Sequence, residues 1–94
     1  PDSIWVGMLQ QDNTPCYRAA AAYALGRIGE RSARDVLLKT LGNMNNALDV
    51  RHASATALKR IADAKTIQAI AKLSINYPEV SVRKVLLAIV QKNK

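Results

Sequence analysis

The chain has 94 residues, the size of one domain, and 49% of them are apolar. Phe is absent and aromatics make up 4%, so a core has to be built from Ala, Leu, Ile and Val. The net charge of +7 favours an acidic partner or surface. The single cysteine, Cys16, excludes an internal disulfide and suits a reducing, cytoplasmic setting, while no apolar run nears the roughly 20 residues that span a bilayer.

In chain order, residues 3–11, SIWVGMLQQ, read as a short helix whose Ile4, Trp5 and Met8 face a core. Thr14 and Pro15 supply an N-cap and a first helical position for the next helix. That helix carries YRAAAAYALGRIG at 17–29 and ends at Gly29, a residue suited to a helix C-terminus. Projected at about 100° per residue, its Tyr17, Ala20, Ala24, Leu25 and Ile28 fall on one side. Ser32 and Asp35 have the spacing of a capping box and open the helix of 32–43. A connector at 42–49 leads to VRHASATALKRIA at 50–62; Asp63 is placed to cap a helix over 65–76. A second connector, 76–81, leads to a last helix beginning VRKVLLAIVQK at 82. Strand-type alternation is absent.

These elements repeat. Arg18, Ala20, Ala22, Ala24, Leu25, Arg27 and Ile28 recur 33 residues later as Arg51, Ala53, Ala55, Ala57, Leu58, Arg60 and Ile61. Arg83 follows Arg51 by 32, and Leu38 and Leu41 return at the same interval as Ile70 and Leu73. Each unit is a helical hairpin with an Ala-rich first helix, A, and a second helix, B. The chain is then an all-α solenoid of six helices: a lone B helix, two A–B hairpins and a lone A helix. Its divisions fall at 1–14, 15–47, 48–79 and 80–94, within a single domain cut mid-repeat at both ends, as a fragment or a short array would be. The alanines allow each A helix to lie close to its neighbours, and stability accumulates across repeats. The final VLLAIV, 85–90, is apolar over much of its circumference with no B helix after it, so the open ends invite self-association.

The unit of about 32 residues, with Val50-Arg51 or Tyr17-Arg18 opening an Ala-rich helix and Ala24-Leu25-Gly26, Ile28-Gly29, Ala57-Leu58 and Ile61 closing it, resembles the HEAT-like repeat named after phycobilisome lyases, within the HEAT/armadillo superfamily. That resemblance covers the whole chain and implies the solenoid fold. The family includes bilin lyases, a metal-dependent hydroxylase, DNA-repair relatives and plain scaffolds, so it implies no single activity. The hydroxylase branch carries paired His-Glu motifs; here the one histidine, His52, is followed by Ala53, and that activity is not carried over.

Few residues suggest chemistry. His52 falls on the outward face of an A helix and reads as a solvated side chain, and Cys16 as a small connector residue. The two lie in adjacent repeats at different heights, too far apart for a catalytic dyad. One His and one Cys are too few ligands for a zinc site, so no metal, cofactor or catalytic residue is assigned. Arg18, Arg51 and Arg83 recur near A-helix N-termini, where the helix dipole disfavours cations. Asp12, Asp49 and Glu79 lie in the same turns and predict an ion-pair ladder that sets repeat spacing.

A second basic row gathers Arg27, Arg31, Arg34, Lys59, Arg60, Lys65 and Lys92 along the A–B turns. This edge has the charge to follow a phosphate backbone or an acidic protein tail. The concave side, lined by B helices, exposes Ser3, Gly7 and Gln10; then Val36, Lys39, Thr40 and Asn43; then Gln68, Lys72 and Ile75. It suits a peptide better than a nucleic acid, because no aromatic is available there for base stacking. The expected function is a non-catalytic protein-interaction or scaffolding module for a partner of acidic character. A nucleic-acid module on the basic edge is the first alternative. A bilin lyase subunit or chaperone, implied by the resemblance alone, is the second.

Overall fold

A computed structural model describes residues 3–11 and 14–93. Its six helices are α1 (Ser3–Gln11), α2 (Pro15–Arg27), α3 (Arg34–Gly42), α4 (Leu48–Ile61), α5 (Ala64–Asn76) and α6 (Val80–Lys92), with one turn of 3-10 helix at Arg31–Ala33. No strand occurs among the described residues. The A helices α2, α4 and α6 form one row, packed α2 on α4 and α4 on α6. The B helices α1, α3 and α5 form the second row, and each rests mainly on the A helix that follows it.

That pairing changes the expectation for both ends. The first helix has a partner, α2, and buries Leu9 completely against it; Trp5 and Met8 are half-buried and Ile4 is 70% exposed. The last helix, expected to be left apolar around much of its circumference, is held by both α4 and α5. Val82, Leu86 and Ile89 are buried there, and the exposed large apolar side chains of α6 are Val80 and Leu87.

The row of A helices explains the alanines. Packing is most extensive between α2 and α4. Ala19, Ala21, Ala22, Leu25 and Gly26 of α2 are buried, as are Ala53, Ala55, Ala57 and Leu58 of α4. The face projected from sequence for α2 needs correction: of Tyr17, Ala20, Ala24, Leu25 and Ile28, only Leu25 is fully buried, and Tyr17, Ala20 and Ile28 are exposed. The repeat supplies the reason. The counterparts in α4, Val50, Ala53, Ala57 and Ile61, are all buried. α4 has an A helix on both sides, whereas α2 has one on only one side among the described residues.

Local signals account for most boundaries. Thr14 stands at the N-cap of α2, with Pro15 in the first turn. Gly29 has φ 72°, and the N–H groups of Gly29 and Glu30 bond back to Gly26 O and Leu25 O at 3.2 and 3.0 Å, a Schellman closure that needs a left-handed residue. Asp63 caps α5, its Oδ1 accepting from Thr66 N–H at 2.9 Å. At the expected box of Ser32 and Asp35, Ser32 stands one residue before the N-cap. Residues 31–33 wind as 3-10 helix, Ala33 takes the N-cap position of α3, and the Ser32 hydroxyl donates to Glu30 Oε2 at 2.6 Å.

Candidate functional site

Arg18, Arg51 and Arg83 repeat one arrangement at the start of each A helix. Each Nε donates backward to a main-chain carbonyl: Arg18 to Leu9 O at 2.6 Å, Arg51 to Asn46 O at 2.9 Å and Arg83 to Tyr77 O at 2.9 Å. Two of them also reach 28 residues forward. Arg18 Nη1 donates to Asn46 Oδ1 at 2.9 Å, and Arg51 makes a two-pronged contact with the Glu79 carboxylate, its Nη2 donating to Oε2 at 2.8 Å. Of the acids expected beside this ladder, Glu79 pairs as described; Asp49 forms no ion pair with a described residue, and Asp12 lies outside the described residues.

At the second junction Arg51 is buried, and its Nη1 also donates to Met44 Sδ at 3.6 Å. The Arg51 guanidinium lies 5.8 Å from the centre of the Tyr77 ring and donates to the Tyr77 hydroxyl at 3.3 Å. That hydroxyl donates in turn to Leu41 O at 2.6 Å. Tyr77 is 2% exposed, the largest of the buried side chains. The hydrogen bonds from Arg51 hold the Glu79 carboxyl below its ordinary pKa, and the same contact, ahead of an opposing cost of burial, raises that of Arg51. Burial pushes the Tyr77 hydroxyl up, against the pull of Arg51. The sequence alone places Tyr77 in a connector without a role. Its one signal there is a large aromatic two residues before the ladder's acid.

The first junction differs by two residues. In the repeat register Met44 stands where Tyr77 does and Asn46 where Glu79 does. Met44 is exposed, and Asn46 Nδ2 donates to Thr40 O at 2.9 Å. Arg18 is left half-buried beside a depression of about 220 Å³ lined by Gln10, Arg18, Val36, Lys39, Thr40, Asn43 and Asn46. Five residues of the expected concave row, Gln10, Val36, Lys39, Thr40 and Asn43, thus come together. Thr40 is buried rather than exposed, its hydroxyl donating to Val36 O at 2.7 Å within α3, and Val36 is half-buried. Elsewhere in that row, Gly7 of α1 is half-buried, and Gln68, Lys72 and Ile75 of α5 are exposed, Ile75 by 75%.

On the edge formed by the A–B turns, Arg27, Arg31, Lys59, Arg60, Lys65 and Lys92 are exposed. Arg34 is half-buried: its Nε donates to Ile61 O and its Nη1 lies 3.4 Å from Asp63 Oδ2, tying the start of α3 to the turn between α4 and α5. Arg31, Arg34 and Lys65 share a polar hollow of about 270 Å³ with Asp35 and Asp63. Hydrogen bonding from Thr66, with a smaller contribution from the Arg34 charge, keeps the Asp63 carboxyl below its ordinary range.

Cys16 and His52 are closer than the sequence pattern places them. Both line a depression of about 380 Å³ between α2 and α4, with Ala19, Ala20, Tyr23 and Asp49. Neighbouring A helices run side by side, so the start of one and the second turn of the next face the same groove. No hydrogen bond joins the two. Among the described residues no group of three His, Cys, Asp or Glu side chains could hold a metal ion, and no helix is long and apolar enough to cross a membrane.

Two stacked rows of short helices, joined repeat to repeat by an arginine ladder, define an α-solenoid of helical hairpins. Residues 4–90 match the family model for HEAT repeats, and the chain belongs to that family. HEAT repeats are generally protein-interaction or scaffold modules. No curated protein and no solved structure gives a significant match to the chain.

Proposed function

We propose that the domain is a non-catalytic protein-interaction module that docks an acidic partner on its B-helix side. The observation that carries this reading is the charge of that side. α1 has no charged residue, α3 beyond Asp35 carries only Lys39, and α5 carries only Lys65 and Lys72, so from Val36 to Leu48 and from Ala64 to Pro78 no carboxylate interrupts the surface. The exposed Ile75 adds an apolar contact one turn from Lys72. Interfaces of this kind take specificity and on-rate from charge and much of their affinity from such anchors.

The turn edge is the competing surface. Its cations are interspersed with Asp35 and Asp63, which favours the B-helix side for a continuous acidic ligand. A peptide array probed with the labelled domain separates the two. Spots rich in Asp and Glu are expected to bind wild type and the Arg27→Glu/Arg60→Glu variant alike, and to lose Lys39→Glu/Lys72→Glu. Binding that instead disappears with Arg27 and Arg60, and transfers to duplex DNA at low salt, assigns the domain to nucleic acid.

A further inference from the structure

The two arginine junctions are the same device completed differently. At the second, the forward-reaching guanidinium of Arg51 ends on the Glu79 carboxylate, and Tyr77 covers it. At the first, Arg18 ends on the neutral amide of Asn46, while Met44 is 45% exposed and its sulfur accepts from Arg51 Nη1 at 3.6 Å. The depression of about 220 Å³ opens beside that amide, and Lys39 reaches it from α3. A carboxylate is the group that this junction holds in the next repeat. We infer that the depression between α1, α2 and α3 takes the carboxylate of a Glu or Asp side chain from the partner, between the Arg18 guanidinium and the Lys39 ammonium. The bound side chain completes in trans the contact that Glu79 makes in cis.

Three features of the site support this assignment. Arg18 is pre-positioned, because its Nε is already fixed on Leu9 O and its Nη1 on Asn46 Oδ1, so little side-chain freedom is lost on binding. A planar guanidinium suits a carboxylate, and charge-assisted bonds of this type are about twice as strong as neutral ones. The remaining lining is neutral, Gln10, Val36, Thr40, Asn43 and Asn46, and no acidic side chain competes within it.

This inference rests on the protein-interaction reading above, and the experiment separates the two. ¹⁵N NMR titration uses three probes: N-acetyl-triglutamate amide, N-acetyl-triglutamine amide and inorganic phosphate. The signals followed are the Arg18 Nε–H, the Asn46 side-chain amide and the backbone amides from Lys39 to Asn43. Triglutamate is expected to shift this set saturably, and triglutamine to leave it unchanged. Asn46→Glu supplies the carboxylate from within the chain, as Glu79 does. It is expected to weaken triglutamate binding at this set by about tenfold or more while leaving the protein at least as resistant to heat as wild type. Lys39→Gln, an exposed change, weakens it by a few-fold and covers the case in which Asn46→Glu folds poorly. Shifts confined to Arg27, Arg31 and Arg60, or full binding by both variants, would overturn the carboxylate slot but leave an acidic partner standing. Phosphate that shifts the same set at equal or lower concentration overturns it in favour of a phosphate ligand. No triglutamate shift anywhere overturns both readings.

Discussion

Gly26 of α2 lies directly against Ala57 of α4: a Cβ placed on Gly26 would stand 2.6 Å from the Ala57 Cα and 2.9 Å from its Cβ. Glycine at this point sets how closely the two helices approach, and the neighbouring atom is backbone, which cannot swing aside. Gly26→Ala should therefore destabilise the domain even though alanine is the better helix former by about 1 kcal/mol. Overpacking typically costs about 1–3 kcal/mol, and because backbone is the atom met the upper part of that range applies, so after the propensity gain a net loss of up to about 2 kcal/mol is expected in urea unfolding. Gly7 in α1 is the control. A Cβ added there would meet nothing within 4 Å, and Gly7→Ala should stabilise by about 0.5–1 kcal/mol. Equal responses at the two sites would mean that the α2–α4 contact is looser than described.

Tyr77 couples the repeats through its hydroxyl, which accepts from Arg51 and donates to Leu41 O. Tyr77→Phe keeps the ring and its packing but leaves the buried Leu41 carbonyl without its hydroxyl donor and removes one of three acceptors of Arg51 Nη1. A loss of about 1–3 kcal/mol is expected in chemical denaturation. The ring itself should stay in place, so the ring contact with Arg51 should persist in a structure of the variant.

The repeat register is legible because Arg, Ala, Leu and Ile recur at fixed intervals and because helix ends carry their own chemistry, as at Pro15, Gly29 and Asp63. Burial is less legible. Tyr17 and Val50 occupy one register position, yet one is exposed and the other buried, because cover depends on a neighbouring helix rather than on the residue itself. Lys39, Asn43 and Lys72, projected as exposed, are exposed, but Thr40 is buried, its hydroxyl satisfied within its own helix. Asn46 and Tyr77 are hidden for a common reason. Both sit in connectors, where no periodicity indicates direction, and their roles arise only from arginines 28 and 26 residues away.

Ile28 and Ile61 test the same point in a single measurement. They hold equivalent positions in successive repeats, but Ile28 is 57% exposed and Ile61 6%. Ile61→Ala should cost about 2–4 kcal/mol, the usual range for a large-to-small change in a core. Ile28→Ala should stay within about 0.5 kcal/mol of wild type, as surface substitutions generally do. Comparable losses at both sites in thermal or urea unfolding would show that something covers the outer face of α2 in solution, which sedimentation velocity would then resolve as association.

Acid should weaken the fold through two carboxylates. Glu79, held by Arg51, and Asp63, held by Thr66 and Arg34, both have pKa values in the folded protein below their ordinary values of 4.5 and 3.8. A carboxylate with a depressed folded pKa binds its proton more readily when unfolded, so its stabilising contribution is complete above its unfolded pKa and is lost as pH falls through the folded one. Stability from these two groups should be level above about pH 5 and decline progressively below it. Asp63→Asn together with Glu79→Gln should lower stability at neutral pH and flatten the acid limb, so that the variant and wild-type curves converge at low pH. Urea midpoints measured from pH 7 to pH 2 check this. An acid limb of unchanged steepness in the double variant would assign the pH dependence to other carboxylates.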